Sequence, residues 1–254
     1  MSSERQALTK NNPWWGEHLF RYKFVQSKIN RNNCVLDIAC GNGYGTDIIA
    51  KLTKNIVVGA DISKETVVSC KQLWNKNKNV SFLVADSKHL PFPNNYFDII
   101  VSHETIEHII DYKKALIEFN RILKKNGTLF LSTPNIDITS PDGVVRNPFH
   151  VFEFTYDELK IAMNNFFSNP VILGQFYKRY YGKTTFNYKI SEILEKLLLM
   201  RGIRKIPLYI KNIITQRLIS NNFLPNADDF ILVNEKRSIL KCPNFYVIAK
   251  KKII

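Results

Sequence analysis

Three glycines spaced two apart, Gly41, Gly43 and Gly45, follow the apolar run Cys34 to Ala39. Glycine there permits positive φ and lets a ligand come close to the backbone. Asp61 follows the next β-branched run, Asn55 to Ala60, where a carboxylate can accept both hydroxyls of a ribose. Asp86 follows a third run, Val80 to Ala85, where a carboxylate can take an adenine amino group. Further on, Glu104, Glu107 and His108 stand at i, i+3 and i+4, and His150 lies in NPFHVFEFT. On a helix the first three would share one face. Two carboxylates with imidazole make a hard donor set, suited to Mg²⁺ or Mn²⁺ more than to zinc. Neutral His108 or His150 could instead act as a general base. The plainer alternatives are a strand-end helix cap for Asp37, solvated loop carboxylates for Asp61 and Asp86, and a loop buttress for Glu107 and His108.

These residues need elements to hold them. From Asn33 to Thr133 short β-branched runs alternate with helical patterns. The strands read as Cys34–Ala39, Asn55–Ala60, Val80–Ala85, Phe97–Ser102 and Thr128–Thr133, with helices over Thr46–Leu52, after Ser63, and over Tyr112–Leu123. Such alternation predicts a parallel sheet covered on both faces, with ligands outside the carboxyl ends of its strands. GNGYG, Asp61, Asp86, HETIEH and Pro134–Asn135 all fall there. Alone, the turn fits NAD, a nucleotide or S-adenosylmethionine. The spacing GxGxG in place of GxGxxG, the third acidic position and the lack of a Lys-Ser/Thr phosphate loop favour the last.

VLDIACGNGYG, VVGADIS, VADSKHLPFPNNYFDIIVSHETIEHI and LKKNGTLFLSTPN resemble the successive motifs of class I S-adenosylmethionine-dependent methyltransferases. The resemblance runs from about Asn33 to Asn135. It implies an α/β, Rossmann-like fold with a seven-stranded, mostly parallel sheet and an antiparallel last strand. By position it implies that Asp37, Ala39, Gly41, Asn42, Gly43 and Tyr44 surround the methionine part. Asp61 and Ile62 would take the ribose and flank adenine, Asp86 and Ser87 the adenine edge, and Ser102 would line the same cleft. The ExxEH…H pattern is similar to that of O-methyltransferases acting on diol-like groups, among them small-RNA 3′-terminal 2′-O-methyltransferases and ubiquinone-pathway enzymes. It implies Glu104, Glu107, His108 and His150 as metal ligands; the catalytic reading of His108 and His150 is the general-base alternative to that metal. PWWGEHLFRY, ETIEHI, STPN and NPFHVFEFT resemble glycan and cell-surface polysaccharide methyltransferases.

The expected activity is methyl transfer to a sugar hydroxyl, on a nucleotide sugar or a glycan. Its rivals are an RNA terminal ribose, a quinone ring, and a cofactor-binding protein without catalysis. Trp14, His18 and Tyr22 lie on a predicted helix, Trp14 to Ile29, that could stack on substrate or simply pack as core. Arg21 on it could pair with a substrate phosphate but is expected at the solvated surface, His103 to line the pocket or support it, and His89 on a surface loop.

Thr155 and Glu158 form a capping box opening a helix to Phe167, and Val171–Phe176, Phe230–Val233 and Asn244–Ala249 read as later strands. The chain thus divides into a helical lid (1–32), a cofactor core (33–176), a basic helical insertion (177–226) and closing strands (227–254). The 254 residues carry 36 Lys+Arg against 22 Asp+Glu, a net +14, and apolar content of 45% excludes disorder. Residues 174–220 hold ten Lys/Arg and two Glu, so +8 of the excess lies there. That amphipathic stretch suits a substrate lid, a homodimer arm or peripheral membrane contact. Nucleic acid is the less favoured partner. Four cysteines without a CxxC pair, a polar N-terminal stretch and no long apolar run lead to an expectation of a cytoplasmic protein with reduced thiols.

Overall fold

A computed structural model describes residues 14–74, 76–178 and 225–253. Eight strands form one sheet: β1 (Val35–Ile38), β2 (Val57–Asp61), β3 (Val80–Val84), β4 (Phe97–His103), β5 (Leu123–Pro134), β6 (Phe167–Tyr177), β7 (Phe230–Val233) and β8 (Asn244–Lys251). Their order is β3-β2-β1-β4-β5-β8-β6-β7. β1 to β5 run parallel, as their near-continuous Val/Ile/Leu content predicts, and β1 and β2 are buried throughout. β8 inserts antiparallel between β5 and β6, and β7 closes the edge antiparallel to β6. The sheet therefore has one strand more than the expected seven, because the run Phe230–Val233 pairs with the end of β6.

Seven α-helices are described: α1 (Trp15–Gln26), α2 (Tyr44–Ala50), α3 (Lys64–Leu73), α4 (Tyr112–Ile122), α5 (Ile136–Thr139), α6 (Tyr156–Phe166) and α7 (Lys236–Ile239). Ser63 caps α3 by accepting from the Thr66 N–H, and Thr155 with Glu158 makes the expected capping box of α6. One apolar cluster, including Leu36, Ile100, Phe119, Leu131 and Phe245, lies with α4 and α6. A second, including Tyr22, Val25, Val101, Phe130 and Tyr246, lies under α1.

HETIEH is not an α-helix. β4 continues through His103, Glu104 takes a left-handed φ of 48°, and a 3-10 turn covers Ile106–His108. The side chains of 104 and 107 thus leave the backbone in different local geometries. Nearly all of the basic insertion lies outside the described residues, as do residues 1–13 of the lid. Among the described residues no helix is long and apolar enough to cross a membrane.

Candidate functional site

The glycine turn leaves β1 with three successive demands on the backbone. Ala39, Gly41 and Gly43 have φ of 55°, 53° and 73°. A Cβ on Gly41 would meet nothing within 4 Å, so the turn leaves an open cradle beside it. Gly43 differs: a Cβ there would strike Phe82, Trp74 and Cys70. The turn is braced from behind, since Trp74 Nε1 donates to the Asn42 carbonyl at 2.8 Å and Cys70 Sγ to the Gly41 carbonyl at 3.1 Å.

Asp61 ends β2 and is oriented by two backbone donors, Gly41 N–H at 3.1 Å and Ser63 N–H at 2.9 Å. Ile62 beside it is 70% exposed, an aliphatic face next to the cradle. Asp86 accepts from the Lys88 N–H at 2.9 Å, with Ser87 half-buried next to it. Asp37 is fully buried and accepts from the Thr46 hydroxyl at 2.6 Å and the Tyr22 hydroxyl at 3.2 Å. Burial raises its pKa to about 7 against the lowering effect of those two hydroxyls. Tyr44 is buried in ring contact with Trp15 and Tyr22. Ser102 is buried with its hydroxyl unbonded. The residues expected around the cofactor do gather at one end of the sheet.

The lid helix is fastened differently from the expectation. Tyr22 is buried; its ring fills the space a Gly45 side chain would need, about 2.0 Å from the built Cβ. Arg21 is not solvated: it is 1% exposed, the largest fully buried side chain described. Its Nη2 donates to Glu17 at 2.6 Å, its Nε to Gln175 at 2.6 Å, and its Nη1 lies 3.1 Å from Glu104 Oε1. Asn244 donates to the same Glu17 oxygen. Burial is the largest single effect and disfavours the Glu104 carboxylate, but Arg21, His18, the Ser132 hydroxyl and His150 together outweigh it and hold the pKa below the ordinary range. His18 is half-buried, and burial with Arg21 nearby lowers its pKa to about 3, leaving it neutral. Trp14, at 58% exposed, stays at the surface. His103 is buried between Tyr22 and Tyr246, with both ring nitrogens unbonded. His89 is exposed, as expected of a loop residue.

Of the four expected metal ligands, three come together. Glu107, His108 and His150 offer ligand atoms within 4.8 Å of one another. Glu104 is drawn away by Arg21 and by the Ser132 hydroxyl, which donates to it at 2.6 Å. Glu107 is fully buried; Oε2 accepts from Thr133 at 3.0 Å and Oε1 has no hydrogen-bond partner. Burial and the neighbouring Glu104 charge push its pKa well above the carboxylate range. His108 Nδ1 lies 2.9 Å from the Phe149 carbonyl and Nε2 3.9 Å from Glu107 Oε1. His150 Nδ1 lies 2.7 Å from Glu153 Oε1, and its Nε2 is 3.0 Å from Asn147 Nδ2. Fixing an imidazole through Nδ1 is the usual way to orient a ligating or proton-accepting Nε2. An unbonded buried carboxylate oxygen beside two such rings fits a divalent cation. With one oxygen and two nitrogens in place of an oxygen-rich set, Mn²⁺ suits better than Mg²⁺.

Arg21, Glu17 and Glu153 were missed as site residues. The Glu17–Arg21 spacing is a legible i,i+4 pair, and Glu153 follows His150 by three. Gln175 and Asn244 gave no signal, being distant in sequence from α1.

The strand order, the glycine turn and the acidic strand ends are those of the Rossmann-like α/β fold of class I methyltransferases. Residues 36–131 match the family model described as a methyltransferase domain. Over 153 residues the chain is 31% identical to the "Probable S-adenosylmethionine-dependent methyltransferase" of Mycobacterium tuberculosis, covering 60% of this chain and 54% of that one. Over 111 residues it is 34% identical to the ubiquinone biosynthesis O-methyltransferase of Pelagibacter ubique, covering 43% and 45%. The chain thus spans about half the length of the curated relatives it matches. The crystal structure of YcgJ from Bacillus subtilis shares the fold, with a TM-score of 0.58 at 20% identity, over 93% of this chain and 100% of that one.

Proposed function

We propose that this protein transfers the methyl group of S-adenosylmethionine to a hydroxyl oxygen of a sugar, carried on a nucleotide or a glycan, with a divalent cation at Glu107, His108 and His150. The observation that carries the reading is the convergence of those three side chains, 4.8 Å or less between ligand atoms, at the cofactor end of the sheet. Bound S-adenosylmethionine supplies an electrophilic sulfonium methyl. The cation would supply Lewis-acid coordination that lowers a hydroxyl pKa.

The chain's own residues do the positioning. The turn at Gly41 gives the cofactor backbone access, and Asp61, pre-oriented by Gly41 and Ser63, offers its carboxylate to ribose. Asp37 sets a carboxyl at the end of β1 for the methionine part. In place of a cation, a free Nε2 of His108 or His150 would accept the acceptor proton, with Asn147 giving up its contact at His150. α1 closes the cleft and excludes water through Tyr22 and Arg21.

A quinone-ring acceptor is the second reading, favoured by the likeness to the Pelagibacter ubique enzyme. The test is methyl transfer to nucleotide sugars, glycans, catechols and short RNAs, with EDTA and then with added Mn²⁺. The expected result is turnover of a sugar acceptor, lost with EDTA, restored by Mn²⁺ and reduced at least about a hundredfold in Glu107→Ala. Chelator-insensitive turnover would remove the cation, and turnover of catechols alone would replace the sugar.

A further inference from the structure

The proposed cofactor cleft lies at one end of the sheet, and the opposite end carries the molecule's other distinctive chemistry. There the starts of β1 to β4 meet the end of β8 and the last turns of α1, α2, α3 and α4. A cleft of about 460 Å³ opens among Lys28, Asn30, Asn33, Lys124, Lys125 and Lys250. The basic surface extends from it across the sheet edge. The Lys54 N–H donates to the Arg31 carbonyl at 2.8 Å, and Asn79, next to Lys78, donates to the carbonyls of Ala50 and Thr53. Lys28, Arg31, Lys54, Lys76, Lys78, Lys125 and Lys250 are all exposed, and among the described residues none is paired with an acidic side chain.

The acids at this end are already neutralised. Asp47 pairs with Lys51 at 2.7 Å, Asp98 with Lys124 at 2.8 Å, and Glu118 with Arg121 at 2.6 Å. Helix dipoles do not account for the unpaired set. Lys28, Lys54, Lys76 and Lys125 all follow the last residue of their helix by two to four positions, and the dipole fades within the last turn.

Leu52, Ile56 and Ile253 stand exposed at the same end, at 42%, 46% and 64%. Among the described residues the exposed large aromatics, Trp14 and Phe149, belong to the opposite end. A nucleic-acid surface would want aromatic platforms for bases and arginine forks for phosphates; here Arg31 is the single arginine among the seven cations without an acidic partner. Lysines around single aliphatic side chains are the composition of a surface that lies on anionic lipid headgroups.

We propose that this amino-end face docks the protein on an anionic bilayer, leaving the cofactor cleft turned to the aqueous side. It is a different site from the basic stretch 177–226 and does not depend on which acceptor is methylated. The test uses the full chain and sedimentation with phosphatidylcholine vesicles containing about a third phosphatidylserine. Expected is binding that is absent on pure phosphatidylcholine, weakened by salt, and reduced at least about tenfold in Lys54→Glu/Lys78→Glu/Lys125→Glu. S-adenosylmethionine binding by calorimetry should be unchanged in that variant, which shows it is folded. Three results would overturn the proposal: wild-type binding by the triple variant, loss confined to Lys196→Glu/Arg201→Glu/Lys205→Glu, or tighter binding to single-stranded RNA that depends on the same three lysines.

Discussion

Gly41 and Gly43 share a left-handed backbone yet face opposite surroundings, and a methyl group tells them apart. Gly41→Ala costs about 1 kcal/mol of backbone strain and points its Cβ into the open cradle. It should leave the thermal midpoint within a few degrees of the parent while weakening S-adenosylmethionine at least about tenfold by calorimetry. Gly43→Ala presses on Trp74, Phe82 and Cys70 and adds overpacking of about 1–3 kcal/mol, so its midpoint should fall clearly further. Equal melting of the two variants would refute this division. The motif's spacing was legible because turn glycines have a local cause. The reason for Gly45 was not, since Tyr22, which occupies its space, lies more than twenty residues earlier.

At the scale of elements, α1 is held by a buried charge cluster as well as by apolar packing. Removing Arg21 leaves the buried Glu17 and the half-buried Glu104 without their shared cation. Breaking a buried pair in this way costs about 3–5 kcal/mol. Arg21→Met should lose that much in urea unfolding, and Tyr22→Phe, which removes one hydroxyl, about 1 kcal/mol. A loss below 1 kcal/mol for Arg21→Met would mean the cluster does not fasten α1. Sequence placed this helix well but put Arg21 outside, because a single arginine on a helix is usually solvated and its partners Gln175 and Glu104 come from other elements. The strand and helix alternation of β1 to β5 was readable from periodicity. HETIEH was not, since a strand that runs on to His103 replaces the expected helical face with a left-handed corner at Glu104.

At the scale of the whole molecule, charge is sorted by position along the sheet. Part of the +14 sits in the insertion, as the sequence indicates, but among the described residues seven cations with no acidic partner crowd the amino end while carboxyl groups collect at the other. Composition cannot show that sorting; only parallel topology brings Lys28, Lys54, Lys78 and Lys125 together. Stability should follow pH through Asp37. Its folded pKa of about 7 exceeds the ordinary value of 3.8, so the folded chain binds a proton that the unfolded chain has released. That contribution is full below the unfolded pKa and is lost as pH rises through about 7. The ligand-free protein should therefore lose stability between those values, and Asp37→Asn should flatten the slope by about 1.4 kcal/mol per pH unit, measured by urea titration. Parallel slopes for the two proteins would refute the assignment.

α1 reaches Asp37 and Gly45 through Tyr22, and Glu104 through the neighbouring Arg21. On the proposed reading, adjacent residues of one helix close both the donor side and the recipient side of the cleft, so exchange of either molecule depends on the same helix. A change that loosens α1 should therefore shorten the residence of donor and recipient together, whichever of the two seals it breaks.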